Sequence, residues 1–168
     1  MTDLVDTLAA QLGAGVVEQT RFRDEHTLVV DRAHLGPALD AAFGVGFTVL
    51  TDLTAVDRHP GVPRFEVVYL LTSMVPPARL RLKVRVADGE TVLSATGRWP
   101  GANWLEREVY DLFGIRFDGH PDLTRILLPD DWEGYPLRKD FALVEEPVQF
   151  IGHTPKVPSQ IIPKSKQP

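Results

Sequence analysis

The sequence predicts an α+β domain: a mixed or antiparallel sheet with helices packed on one face, followed by an extended proline-rich C-terminal tail. Three observations carry this expectation. From Arg79 to Val86 the residues alternate: Leu80, Leu82, Val84 and Val86 point one way, and Arg79, Arg81, Lys83 and Arg85 the other. Elsewhere, apolar residues recur at helical spacing. Prolines then crowd the C-terminal region, at positions 121, 129, 136, 147, 155, 158, 163 and 168.

Leu4, Val5, Leu8 and Leu12 predict a first helix, stopped by Gly13 and Gly15. Val16 to Gln19 reads as a short strand and His26 to Val30 as a stronger one, rich in β-branched residues. Asp31 is a candidate N-cap for a second helix over Leu35, Leu39, Ala42 and Phe43, closed by Gly44 and Gly46. Pro37 falls early in that helix, where it costs least. Phe47 to Val56 and Arg64 to Thr72 read as strands. The turn-rich segment from Asp57 to Pro63 joins them, so they are expected to pair as an antiparallel hairpin. Asp88-Gly89 marks a turn, and Thr91 to Ala95 reads as a short helical turn. The predicted organisation is a domain over 1–141 and a tail over 142–168.

Composition narrows the function. With 18 basic and 23 acidic side chains the formal charge is −5, which argues against nucleic acid as the main partner. There is no cysteine, so disulfides, a thiolate nucleophile, cysteine-bound zinc and cysteine-held iron–sulfur clusters are excluded from this chain. No apolar run approaches the ~20 residues of a membrane span. Met1 to Leu12 is acidic and amphipathic, unlike a signal or transit peptide. Any membrane link is therefore expected to run through a partner.

The informative stretch is Trp99 to Phe141. Asn103 is a candidate helix cap with Glu106 completing a capping box, and Leu105, Val109 and Leu112 line one helical face. Gly114 supplies a C-terminal stop, and Arg107 and Asp111 stand four apart and are expected to pair. Ile115 and Phe117 alternate like a short strand; Asp118-Gly119 and Glu133-Gly134 mark turns.

Glu106, Glu108, Asp111, Asp118, Asp122, Asp130 and Asp131 form an acidic cluster with His120 among them. A paired-carboxylate or hard-metal site would need these groups to converge. Glu106 and Glu108 point ~200° apart around a helix and cannot pair closely. Glu108 and Asp111 can share a face. No zinc-protease, serine-elbow or phosphate-loop motif is present. Caps, turns and ion pairs are the favoured reading. His120 is read as tying a turn to the backbone in preference to ligating a metal. The basic strand face is read as a solvated or edge strand in preference to a dock for an acidic partner. Arg138-Lys139-Asp140 reads as a bridge to a neighbour or a solvated turn, and the many aromatics as core or interface.

The run Glu106-Arg107-Glu108-Val109-Tyr110-Asp111-Leu112-Phe113-Gly114-Ile115 resembles the signature of the thirty-kilodalton subunit family of respiratory complex I. The resemblance continues through Phe117, Gly119-His120-Pro121-Asp122-Leu123 and Arg125-Ile126-Leu127. It ends with Gly134 and Pro136-Leu137-Arg138-Lys139-Asp140-Phe141. Thr124 departs from it, standing where a basic residue is expected. The resemblance implies a cofactor-free structural subunit of the hydrophilic, peripheral arm of NADH–quinone oxidoreductase, lying beside the quinone site. FMN and iron–sulfur clusters would reside in partner subunits. The partners would be the large quinone-site subunit and neighbouring cluster-bearing subunits, with the tail lying over them. The location implied is peripheral, at the cytoplasmic side of a bacterial cell membrane. No catalytic, cofactor-binding or metal-binding residue is carried over; the signature residues are expected to be structural or at interfaces. Two alternatives stay open: an equivalent subunit of a membrane-bound hydrogenase or of a complex fed by ferredoxin or reduced deazaflavin, and a freestanding enzyme using Glu108, Asp111 and His120.

Overall fold

The computed structural model describes residues 4–23 and 25–142. Five strands form one sheet in the order β1-β2-β5-β4-β3. They are β1 (Val16–Phe22), β2 (Glu25–Val30), β3 (Val49–Asp57), β4 (Phe65–Met74) and β5 (Pro77–Val86). Only β2 and β5 run parallel; the other three pairings are antiparallel. The sheet is therefore mixed, and the expected hairpin forms between β3 and β4, with Leu53 opposite Tyr69 and Ala55 opposite Val67.

The period of two in β5 decides where the core lies. Leu80, Leu82, Val84 and Val86 share a face with Leu28, Val30, Phe65, Val67, Tyr69 and Leu71, and all are buried. That face meets the helices α1 (Leu4–Leu12), α2 (Leu35–Val45) and α3 (Ala102–Phe113). Val5 and Leu8, then Leu39 and Ala42, then Val109 and Phe113 join it in one continuous hydrophobic cluster. Phe47, which follows α2, is fully buried in the same cluster.

The opposite face is charged, and here one expectation is corrected. β5 is an interior strand, not an edge, and three of its four basic side chains are paired within the sheet. Arg81 meets Glu25 at 2.8 Å, Lys83 meets Glu66 at 2.7 Å and Arg85 meets Glu18 at 2.8 Å. The Glu66 side chain is almost fully enclosed. Burial alone would raise its pKa, but Lys83, Arg58 and Arg85 outweigh burial and hold the carboxyl below its ordinary range.

Three local readings are also corrected. Thr91–Leu93 is not a helical turn but a strand, β6, pairing in parallel with β7 (Arg116–Asp118). Thr91 and Val92 are β-branched, and Val92 is buried with Phe117 as its register partner. Gly44 lies inside α2, and Gly46, at φ 120°, provides the stop. Asp31 precedes a single 3₁₀ turn, Arg32–His34, and makes no side-chain cap bond there, so α2 begins only at Leu35. The first strand runs on to Phe22 because β2 offers it a full antiparallel ladder. Of the tail expected over 142–168, residues 143–168 lie outside the described residues.

Leu82 is completely buried at the centre of the sheet. Leu82→Ala is expected to cost about 2–5 kcal/mol, read as a lowered midpoint in urea denaturation at unchanged m-value.

Candidate functional site

The resemblance-bearing residues converge on α3 and the segment that wraps it, 114–141. Gly101 caps α3 without a side-chain bond, so the expected Asn103–Glu106 capping box does not form. Glu106 is drawn inside because the stripe facing the sheet is Ala102, Glu106, Val109 and Phe113, all buried. Leu105 and Leu112, expected on the core face, sit half-buried beside it. The helix is covered on two sides, which a single apolar stripe in the sequence does not reveal.

Glu106 has no solvent exposure. It accepts the Ala95 N–H at 2.6 Å and the Ser94 hydroxyl at 2.7 Å. The His120 ring stands 4.0 Å away. Burial pushes the Glu106 carboxyl up, and the bonds from Ala95 and Ser94 and the nearby His120 offset part of this. The Tyr69 hydroxyl is raised well above its ordinary value by burial, with Glu106 adding to the effect. His120 does tie a turn: its Nδ1 accepts the Asp122 N–H at 3.0 Å, which leaves Nε2 to donate to the Asn103 carbonyl at 3.1 Å. Pro121 and Asp122 lie exposed on that turn.

Asp111 organises the other side of α3. It is completely buried. One oxygen accepts three successive backbone N–H groups, Ile126 at 3.0 Å, Leu127 at 2.8 Å and Leu128 at 2.9 Å. The other oxygen takes Arg125 at 2.7 Å. Burial would raise this carboxyl, yet the three amides and Arg125 hold it below the ordinary range. The expected Arg107–Asp111 pair is therefore absent. Arg107 instead donates to the carbonyls of Thr124 at 3.1 Å and Arg125 at 2.9 Å and lies over the Trp104 ring. Fixed backbone donors outcompete a flexible side chain one turn away.

The C-terminal end of α3 is closed by the same segment. Gly114, at φ 77°, ends the helix in the left-handed region, and its N–H reaches the Tyr110 carbonyl at 2.8 Å. A side chain there would also meet Tyr135, whose ring lies 2.5 Å from the position of a Cβ. Leu137 N–H donates to the Leu112 carbonyl at 3.1 Å, and Arg138 Nε to the Phe113 carbonyl at 2.7 Å. Helix carbonyls without intrahelical partners are thus satisfied. Tyr110 and Tyr135 meet edge to face, Arg125 and Arg138 both lie over Tyr135, and Arg138 also covers Phe65. Gly134, at φ 85°, admits the Phe141 ring, which stacks on Trp132. Pro136 stands half-buried in this wrap.

Arg138-Lys139-Asp140 is anchored within the chain, while Lys139 and Asp140 keep exposed side chains. It folds back onto the β3–β4 hairpin. Asp57 accepts Arg64 at 2.8 Å and the Lys139 N–H at 2.9 Å. Arg64 also holds Asp140, and Asp88 binds both Arg64 and Arg138 at 3.0 Å. The Arg64 bond holds the Asp57 carboxyl far below its ordinary range. Asp57, Arg64 and Asp88 were not singled out in the sequence as site residues, because their partners lie up to 82 positions away.

The acidic residues do not converge. Glu106 and Asp111 serve separate networks, Asp118 bonds Thr91 across β6 and β7, and Glu108, Asp122, Asp130 and Asp131 are exposed. Glu108, Asp111 and His120 share no bond among the described residues.

The two buried carboxyls have opposite pH signatures. Asp111, lowered below 3.8, contributes stability that is complete above the unfolded value and lost as pH falls through the folded one. Glu106, raised above 4.5, contributes stability that is complete below the unfolded value and lost as pH rises through the folded one. Asp111→Asn is accordingly expected to cost about 3–5 kcal/mol at pH 7, with faster amide exchange at Ile126, Leu127 and Leu128. Glu106→Gln keeps the bond from Ala95 N–H to Oε1 and reverses the other, the amide Nε2 donating to Ser94 Oγ. Its stability relative to the parent chain should rise as pH climbs above the ordinary glutamate value of 4.5 in denaturant titrations; a fall would contradict the buried-acid assignment.

Residues 28–147 match the family model described as the respiratory-chain NADH dehydrogenase 30 kDa subunit. An NADH-quinone oxidoreductase subunit from Trichlorobacter lovleyi is 46% identical over 144 residues, covering 83% of this chain and 88% of that protein. Its counterpart of the same name from Geotalea uraniireducens is 44% identical over 138 residues, covering 81% and 84%. Among solved structures, the trypsin-resistant fragment (1–134) of Nqo5 aligns with a TM-score of 0.66 at 31% identity, over 72% of this chain and all of that one. A chain of an archaeal membrane-bound sulfane sulfur reductase shares the fold, with a TM-score of 0.74 at 24% identity over 84% and 85%. The chain that wraps its own signature helix in this way belongs to the 30 kDa subunit family of the respiratory-chain NADH dehydrogenase.

Proposed function

We propose that this chain is the cofactor-free structural subunit of the peripheral arm of NADH–quinone oxidoreductase. It holds the large quinone-site subunit in place relative to the cluster-bearing subunits. FMN and the clusters belong to those partners, and the arm carries electrons from NADH to quinone while the membrane part moves protons. This chain supplies geometry. The supporting observation is where its polar signature residues are spent. Glu106, Arg107, Asp111, Arg125 and Arg138 are consumed in fixing backbone and capping α3, Asp140 is paired with Arg64, and no reacting constellation is built from them. The lack of cysteine agrees with iron being held elsewhere. No described helix is long and apolar enough to cross a membrane; the proposal places the chain peripherally, at the cytoplasmic side of a bacterial membrane, held there through the complex.

A tagged chain drawn from membranes in mild detergent should bring down the flavin-, cluster- and quinone-site subunits. Hydrogenase subunits in their place would favour the related machine, and a solitary chain turning over a substrate would overturn the reading. Removing residues 145–168, which lie outside the described residues, is expected to weaken assembly of the arm and lower quinone reductase activity in membranes. Unchanged assembly and activity would refute a role for the tail.

A further inference from the structure

The segment fixed by Asp111 hides little of itself. Ile126 is 36% exposed, Leu127 61% and Leu137 52%, and Trp104 on α3 is 60% exposed. Their backbones are tied into one surface. Arg107 lies over Trp104 while bonding the carbonyls of Thr124 and Arg125; Arg125 bonds the Gly134 carbonyl; Leu137 bonds Leu112. A completely buried carboxylate and three amides are thus committed to a loop whose aliphatic side chains face outwards. Scattered exposed leucines call for no explanation, but four large apolar side chains held outwards on one tied frame do. Rigidity of this kind lowers the ordering cost of association.

Charge identifies the occupant. Glu108, Asp122, Asp130, Asp131 and Glu133 are exposed on α3 and on the loops flanking the patch, and none has an ion pair among the described residues. The open face of the sheet differs: there Arg81, Lys83 and Arg85 are matched by Glu25, Glu66 and Glu18. An apolar centre with an unmatched acidic rim suits a basic partner. We propose that Trp104, Ile126, Leu127 and Leu137 form a docking site for a segment of a neighbouring protein in the arm, bearing an aliphatic or aromatic anchor flanked by Lys or Arg. This rests on the reading of the chain as a subunit of the peripheral arm.

The test uses the full chain in its complex. A benzophenone amino acid replaces Leu127 and, in a separate control, the exposed Val17 on β1. Irradiation of intact membranes should join position 127 to one neighbouring protein, at a peptide with Lys or Arg beside an apolar residue. Cross-links only to residues 143–168 of this chain, to a peptide lacking basic residues, or to nothing would overturn the proposal. Leu127→Asp, and separately Asp130→Lys with Asp131→Lys, should lower the assembled fraction on native gels by about tenfold. The purified variants should keep the parent melting temperature, because these side chains are exposed. Parent-like assembly by both variants, while the parent chain still co-purifies with its partners, would sink the docking site and leave the subunit reading standing.

Discussion

The segment wrapped around α3, residues 114–141, depends on one buried carboxylate. Asp111 sits without solvent on α3 and receives three consecutive backbone amides and a guanidinium. A carboxylate taken from water costs several kcal/mol unless its lone pairs are met, and here they are met in full. The consequence is long-range. Arg125 cannot leave Asp111, so it fixes Tyr135 and the Gly134 carbonyl; Tyr135 in turn requires Gly114 to lack a side chain. Gly114 ends α3, and the carbonyls so freed collect Leu137 and Arg138. A segment poor in regular structure is thereby held by side chain-to-backbone bonds where a sheet ladder would otherwise serve.

The sheet supplies the platform for that wrap. Arg138 reaches from the wrapping segment to Asp88 and across Phe65, while Lys139 and Asp140 meet Asp57 and Arg64 at the β3–β4 hairpin. The two ends of the signature are therefore anchored at different places, one on the helix and one on the sheet. Glu106 adds a third anchor, binding α3 to the segment before it through Ala95 and Ser94. Neutral or charged, that group stays hydrogen-bonded, so its burial is tolerated at a cost that depends on pH. The proposed role of fixing neighbours calls for this kind of internal definition, because slack in a scaffold passes directly into the separation of what it holds.

Strong local patterns were legible in the residues. The alternation of β5 announced its two faces, and Leu4, Val5, Leu8 and Leu12 announced α1. Gly114 was recognisable as a helix stop because only glycine enters the left-handed region at little cost. His120 was recognisable as a turn anchor from its Gly-His-Pro-Asp setting. Weak patterns misled. Thr91 to Ala95 is too short to show a period, and its strand identity comes from β7, a neighbour 25 positions later in register. Arg107 and Asp111 obeyed the helix-surface rule in spacing and broke it in fact, because both face a covering segment, not water.

By itself, then, the sequence determined the α+β class, the helices and strands with a clear period, the absence of cysteine chemistry and, through its signature, the family. These follow from backbone periodicity and residue identity, which are local. Tertiary structure alone decided that β5 is interior, that Glu106 and Asp111 are buried in different networks, and that Arg64, Asp57 and Asp88 grip the last signature residues. Which donor a carboxylate finds depends on what the chain brings beside it from tens of residues away. Burial then makes that choice binding, because an unmet charge without water is too costly to keep.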